Sequence, residues 1–153
     1  MRNKFFLFFL LFLLFLSLSN CGYKTIYSTK NLNFTIESIE KSNTSLNNKF
    51  AKSINALNSK DNDKKINIKI ESDKKIKIKS KDSKGNALVF ELEIFLKFVT
   101  LNVDDEREKL FSRKITYNNS DDKFKIKQYE NELEDILITK VVEDLIKYLS
   151  NIQ

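Results

Sequence analysis

The side chains that could do chemistry are few. The 153 residues hold one cysteine and no histidine, so neither a Cys-His nor a Ser-His dyad can form, and the zinc sites built from imidazole or several thiolates are out of reach. Glycine occurs only at Gly22 and Gly85, which leaves no glycine-rich loop to cradle a phosphate chain. The carboxylate pairs Asp104/Asp105 and Asp121/Asp122 sit in polar, turn-like stretches without ligand spacing and read as solvated loops. A hydrolase relying on carboxylates alone is the poorest of the functional classes. The expectation is a protein that is not an enzyme and needs neither a metal nor a dissociable cofactor.

The position of the lone thiol suggests a different chemistry. Met1-Arg2-Asn3-Lys4 is a positive start, Phe5 to Leu16 is an unbroken run of Phe and Leu, and Ser17-Leu18-Ser19-Asn20-Cys21 follows directly. This is the three-part layout of a signal peptide. Phe5 to Leu18 would span only about 21 Å as a helix, short of a hydrocarbon core of about 30 Å, so a removed signal over residues 1–20 is expected rather than a transmembrane helix. Leu18-Ser19-Asn20-Cys21 resembles the bacterial lipobox, in which a cysteine thiol leaving the bilayer is diacylglycerylated and the chain is then cut before it. The resemblance implies diacylglycerol and an N-acyl chain on Cys21, and two or three acyl chains hold a protein firmly at about 0.8 kcal/mol per buried CH₂. Gly22 after the cysteine is compatible with the outer membrane, since an Asp there would favour inner-membrane retention in enteric-type sorting.

Lysines provide the sharpest electrostatic feature. Between Lys64 and Lys84 nine lysines stand against Glu71, Asp73 and Asp82. Lys75, Lys77 and Lys79 alternate with Ile76 and Ile78, which would put them on one side of a strand as a basic stripe. Lys74, Lys75, Lys77 and Lys79 are the candidate ligand-binding residues, for an anionic partner such as the phosphates of a glycolipid. The competing reading is a solvated strand face whose lysines also prevent edge aggregation. The whole-chain charge of +6 falls to +4 once Arg2 and Lys4 leave with the signal, a balance too mild to demand nucleic acid.

These side chains need elements to hold them. Composition, at 41% hydrophobic and 31% charged residues, suits one folded domain over residues 31–153, joined to the anchor by residues 21–30. Asn33 to Glu40 is β-branched and aromatic enough for a first strand. Asn43, Thr44 or Ser45 can cap a helix carrying Leu46, Phe50, Ile54 and Leu57 on one stripe. Lys65 to Glu71 and Lys75 to Lys79 alternate strictly around Ser72-Asp73, as a hairpin or as a long strand with a kink. A turn at Gly85-Asn86 leads to a strand from about Ala87, with Leu88, Phe90, Leu92, Ile94, Leu96 and Phe98 in one phase. In its other phase, Phe95, Val99 and Leu101 could face a partner protein, a lipid or, most simply, the second helix. After a charged loop, Leu110 to Tyr117 is a further strand. A long helix begins near Lys127 and places Leu133, Ile136, Leu137, Val141, Leu145 and Leu149 on one face. The expected fold is α+β, a two-layer sandwich in the order β-α-β-β-β-β-α, with two helices on a four- to five-stranded antiparallel or mixed sheet.

Cys21-Gly22-Tyr23 followed by Tyr27, then Phe124 ahead of Tyr129-Glu130, Leu133 and a helix ending Leu145-Ile146-Lys147-Tyr148-Leu149, resembles the LPS-assembly lipoprotein family, LptE or RlpB. By order of elements the resemblance covers residues 21 to 150. It implies a lipid-anchored protein on the periplasmic face of the outer membrane, with an LptD-like β-barrel and lipopolysaccharide as partners, aiding barrel assembly and lipopolysaccharide export. The alternative is a periplasmic binding or scaffold lipoprotein unrelated to lipopolysaccharide.

Overall fold

The computed structural model describes residues 34–58, 65–101 and 106–151. The expected signal segment over 1–20, Cys21, the expected tether over 21–30 and the Asp104/Asp105 pair lie outside the described residues. The compact unit that starts at Asn31 contains the first strand, β1 (Thr35–Lys41), and a helix, α1 (Ser45–Ala56). Three strands follow, β2 (Lys65–Lys81), β3 (Ala87–Leu101) and β4 (Glu108–Asn118), and then the helix α2 (Lys123–Asn151). The architecture is the expected α+β one. Its order is β-α-β-β-β-α, because the two alternating runs around Ser72-Asp73 form one 17-residue strand. Ser72 and Asp73 stay in the ladder opposite Leu96 and Phe95, where the strongly β-forming partner outweighs two residues of weak strand propensity.

The sheet runs β1-β2-β3-β4, with β1 parallel to β2 and the other pairs antiparallel. A parallel neighbour requires a crossover, and α1 is that crossover. Thr44 caps it, accepting a hydrogen bond from the Asn47 amide through its hydroxyl. α2 opens four residues before the expected Lys127, with the Asp122 carboxylate accepting from the Phe124 and Lys125 amides.

Both helices cover one face of the sheet. Ile66, Ile68 and Ile70 of β2, with Leu92, Ile94, Leu96 and Phe98 of β3, meet Phe50 and Ile54 of α1 and Leu133, Leu137, Val141, Leu145 and Leu149 of α2 in one core. Leu46 packs at its margin, while Leu57, just past α1, is exposed. Ile136 is also exposed, and Ile138, Val142 and Ile146 are buried in addition to the expected stripe. On β3 the even-numbered residues take the helix layer. Successive strand residues point to opposite faces, so Phe95, Val99 and Leu101 lie on the other face, and the expectation that they meet the second helix is corrected.

Candidate functional site

Opposite the helices, odd-numbered residues of β2 and β3 and even-numbered residues of β4 form a sheet face that no described helix covers. Pairing Lys75 with Glu93 and Lys77 with Glu91 across β2 and β3 puts acids among the lysines. Lys77 Nζ lies 3.2 Å from Glu93 Oε2, and Lys79 Nζ lies 3.4 Å from Glu91 Oε2. Lys114 of β4 approaches the same Glu91 oxygen at 3.7 Å. Glu91 is only 6% exposed, with the ammonium groups of Lys79 and Lys114 both reaching its Oε2. Lys75 stands 5.0 Å above the centre of the half-buried Phe95 ring, within range of a cation–π attraction, and 3.9 Å from Asp73. Lys97 and Glu108 extend the pairing along β3 and β4 at 3.1 Å.

The four candidate lysines therefore divide. Lys75, Lys77 and Lys79 share the uncovered face. Lys74 points to the helix side, where its ammonium lies 2.6 Å from Glu134 Oε2 while Lys49 of α1 holds Oε1 at 2.8 Å. Glu134 is buried. Burial alone would push its carboxyl upward, but hydrogen bonds from Lys49 and Lys74 hold it below the ordinary glutamate value. Three elements, α1, β2 and α2, are tied at this one carboxylate. Arg113 of β4 makes a second tie to α2, donating from Nε and Nη2 to the two oxygens of Asp144 at 2.6 and 2.8 Å.

Composition pointed to the lysines and missed the acids that answer them. The signal was present. Lys75-Ile76-Lys77-Ile78 and Glu91-Leu92-Glu93-Ile94 have the same period on the two sides of the Gly85 turn, so folding the hairpin about that turn sets charge against charge. The turn takes the expected place. Asp82 Oδ1 accepts from the Lys84 and Asn86 amides and Oδ2 from the Asn86 side chain, and these bonds, the side-chain one foremost, hold its carboxyl low. Gly85 adopts φ +86°, a region glycine enters without steric cost.

This face offers cations whose present partners are carboxylates on the same sheet. Phosphate or carboxylate oxygens of a ligand can compete for these half-exposed ammonium groups, whose individual pairs are weak, while loss of Lys79 would leave the buried Glu91 only its longer contact to Lys114. Among the described residues no group of three or more His, Cys, Asp or Glu side chains is placed to hold a metal ion, and no helix is long and apolar enough to cross a membrane.

The mixed four-stranded sheet with both helices on one face is similar in fold to solved bacterial lipoproteins. The chain is similar to the rare lipoprotein B of Shewanella oneidensis, at TM-score 0.55 and 12% identity over 74% of this chain and 94% of that one. It is similar to lipoprotein B of Nitrosomonas europaea, at 0.52 and 16% over 84% and 90%, and to a minor lipoprotein of Acinetobacter baumannii, at 0.52 and 14% over 74% and 91%. No family model and no curated protein matches the sequence. The likeness is one of fold, and it agrees with the RlpB-type arrangement that the order of elements suggested.

Proposed function

We propose that the chain is an exported lipoprotein, acylated on Cys21 and held at the periplasmic face of the outer membrane. In this reading it acts without catalysis, aiding assembly of an LptD-like barrel and delivery of lipopolysaccharide to the cell surface. The observation that carries the reading is the fold shared with rare lipoprotein B of Shewanella oneidensis, joined to a sequence whose residues 1–20 have the layout of a signal segment and stand directly before Cys21. Lys75, Lys77 and Lys79 supply the cations for lipid phosphates on the uncovered face. Lys74 would have to leave Glu134 to join them.

The test is affinity purification of the carboxy-terminally tagged chain from detergent-solubilised envelopes, with mass spectrometry of its amino-terminal peptide and of any stoichiometric partner. An acylated Cys21 recovered with a large outer-membrane barrel supports the assembly role. An unmodified chain that starts at Met1, or an acylated chain that is always monomeric and alone, refutes it. One feature favours a second reading, a binding or scaffold lipoprotein unrelated to lipopolysaccharide: Lys77 and Lys79 already have carboxylate partners, so a ligand must displace them. Vesicles carrying lipid A phosphates separate the two. Binding that is lost when the three lysines become glutamine argues for lipopolysaccharide.

A further inference from the structure

The unpaired half of β2 is a second place where something can bind. β2 runs from Lys65 to Lys81, but β1 pairs with it only as far as Ile70. From Ser72 onward, no strand among the described residues occupies the side of β2 that faces away from β3.

The direction of the backbone groups there can be worked out. Ile36 of β1 bonds through both its N–H and its C=O to the Asn58 side chain, at 2.9 and 2.7 Å, so it faces away from β2. In a parallel pair the residue opposite an outward-facing one points inward, which makes its partner Ile66 face β1. Alternation carries Ile66's direction, away from β3, along the even-numbered residues to Lys74, Ile76 and Ile78. The Lys74 amide confirms it by donating to the carboxylate of its own neighbour Asp73 at 2.8 Å, a bond open to it only if it turns away from β3. Ile76 and Ile78 thus present N–H and C=O groups to an edge that no described strand occupies.

The side chains along this edge say what would fit. Ile76 and Ile78 are 43% and 50% exposed, on the helix side but beyond the helices' cover, while Lys75, Lys77 and Lys79 line the other side. An edge that needed only protection from aggregation would carry lysines without exposing isoleucines between them. A second copy of β2 would set lysine against lysine across the new ladder, which is unfavourable. β3 already displays the complementary pattern, since Glu91 and Glu93 meet the lysines while Leu92 and Ile94 lie beside Ile76 and Lys74.

We infer that the free edge of β2 from Lys74 to Ile78 accepts, by β-strand addition, an extended segment of a partner protein in which acidic and apolar residues alternate. Main-chain hydrogen bonds provide the attachment and the alternating side chains the selectivity. The inference does not depend on the lipopolysaccharide reading, because it concerns a peptide and the strand edge alone.

A labelled peptide of alternating glutamate and isoleucine, titrated into the full-length protein by fluorescence anisotropy, tests it. A scrambled peptide and a lysine–isoleucine peptide are the controls, and amide hydrogen exchange reads Ile76 and Ile78 directly. The alternating acidic peptide should bind and slow exchange at Ile76 and Ile78, and the controls should not. Ile76→Pro removes an outward N–H without touching the β2–β3 ladder, as edge strands tolerate, and should weaken binding by at least about tenfold. Should that variant unfold, Lys75→Gln with Lys77→Gln provides the second arm and should abolish the preference for the acidic peptide over the lysine–isoleucine peptide. Equal binding of all three peptides, unchanged exchange at Ile76 and Ile78, or binding only to anionic vesicles would overturn the assignment.

Discussion

At the scale of single residues, the most consequential group is Glu134, a carboxylate with two lysine partners drawn from two other elements. Removing one partner of a buried pair leaves a charge imperfectly compensated. Lys49 still reaches Glu134 when Lys74 is gone, and both lysines are about one-third exposed, which softens the loss. Lys74→Ala should therefore destabilise the domain by about 1–2 kcal/mol in urea denaturation, and Glu134→Ala by more, since it frees both lysines and opens a gap between α1 and α2. The sign of the pH effect follows from the lowered carboxyl. A group that ionises more easily when folded contributes stability above its unfolded value and loses it as the pH falls through the folded one. Stability of the native protein should drop more steeply on acidification below the ordinary glutamate range than that of Glu134→Gln, and parallel profiles would show that the carboxylate is not responsible. None of this was readable in the sequence. Glu134 and Lys74 are 60 positions apart, and Lys74 looks like one more lysine in a basic run until the strand's phase assigns it to the helix side.

At the scale of elements, alternation made the strands legible and the turn residues made the hairpin legible. Period-2 patterning in β3 from Leu88 to Phe98 gave the core face directly, and the residues from Leu92 to Phe98 are the ones that reach the helices. Patterning could not say whether Ser72-Asp73 ends a strand, because that depends on whether a partner lies opposite, and β3 does. Nor could it identify Asn58, whose side chain takes the place of a strand partner for Ile36. The hairpin's dependence on its turn is testable. A Cβ on Gly85 would meet nothing within 4 Å, so Gly85→Ala carries only the cost of holding an alanine at positive φ, about 1 kcal/mol. Amide exchange should rise at the hairpin end, near Ser80 and Val89, and remain unchanged in α2. A loss spread evenly over the domain would mean that the hairpin does not open as a separate unit.

At the scale of the whole molecule, the apolar core and the lysine–carboxylate pairs fall on opposite faces of one sheet. The helix-bearing face holds the core, where Leu137, Leu145 and Leu149 are almost wholly buried and a Leu137→Ala change should cost about 2–5 kcal/mol. The other face contributes ion pairs at roughly half-exposed lysines, a class of interaction worth about 0–1 kcal/mol each. If that face serves a ligand or partner, its lysines should be expendable for folding. Replacing Lys75, Lys77 and Lys79 together by glutamine should shift the unfolding midpoint much less than Leu137→Ala alone, while abolishing retention on anionic vesicles. Most of whatever stability is lost should trace to Lys79, since the Glu91 it serves is buried and would keep only the longer contact to Lys114. Restoring Lys79 in the triple variant should then recover most of the midpoint without recovering vesicle retention. A triple variant that unfolds as readily as Leu137→Ala would instead make the charged face part of what holds the sheet together, and the separation of the two roles would fail.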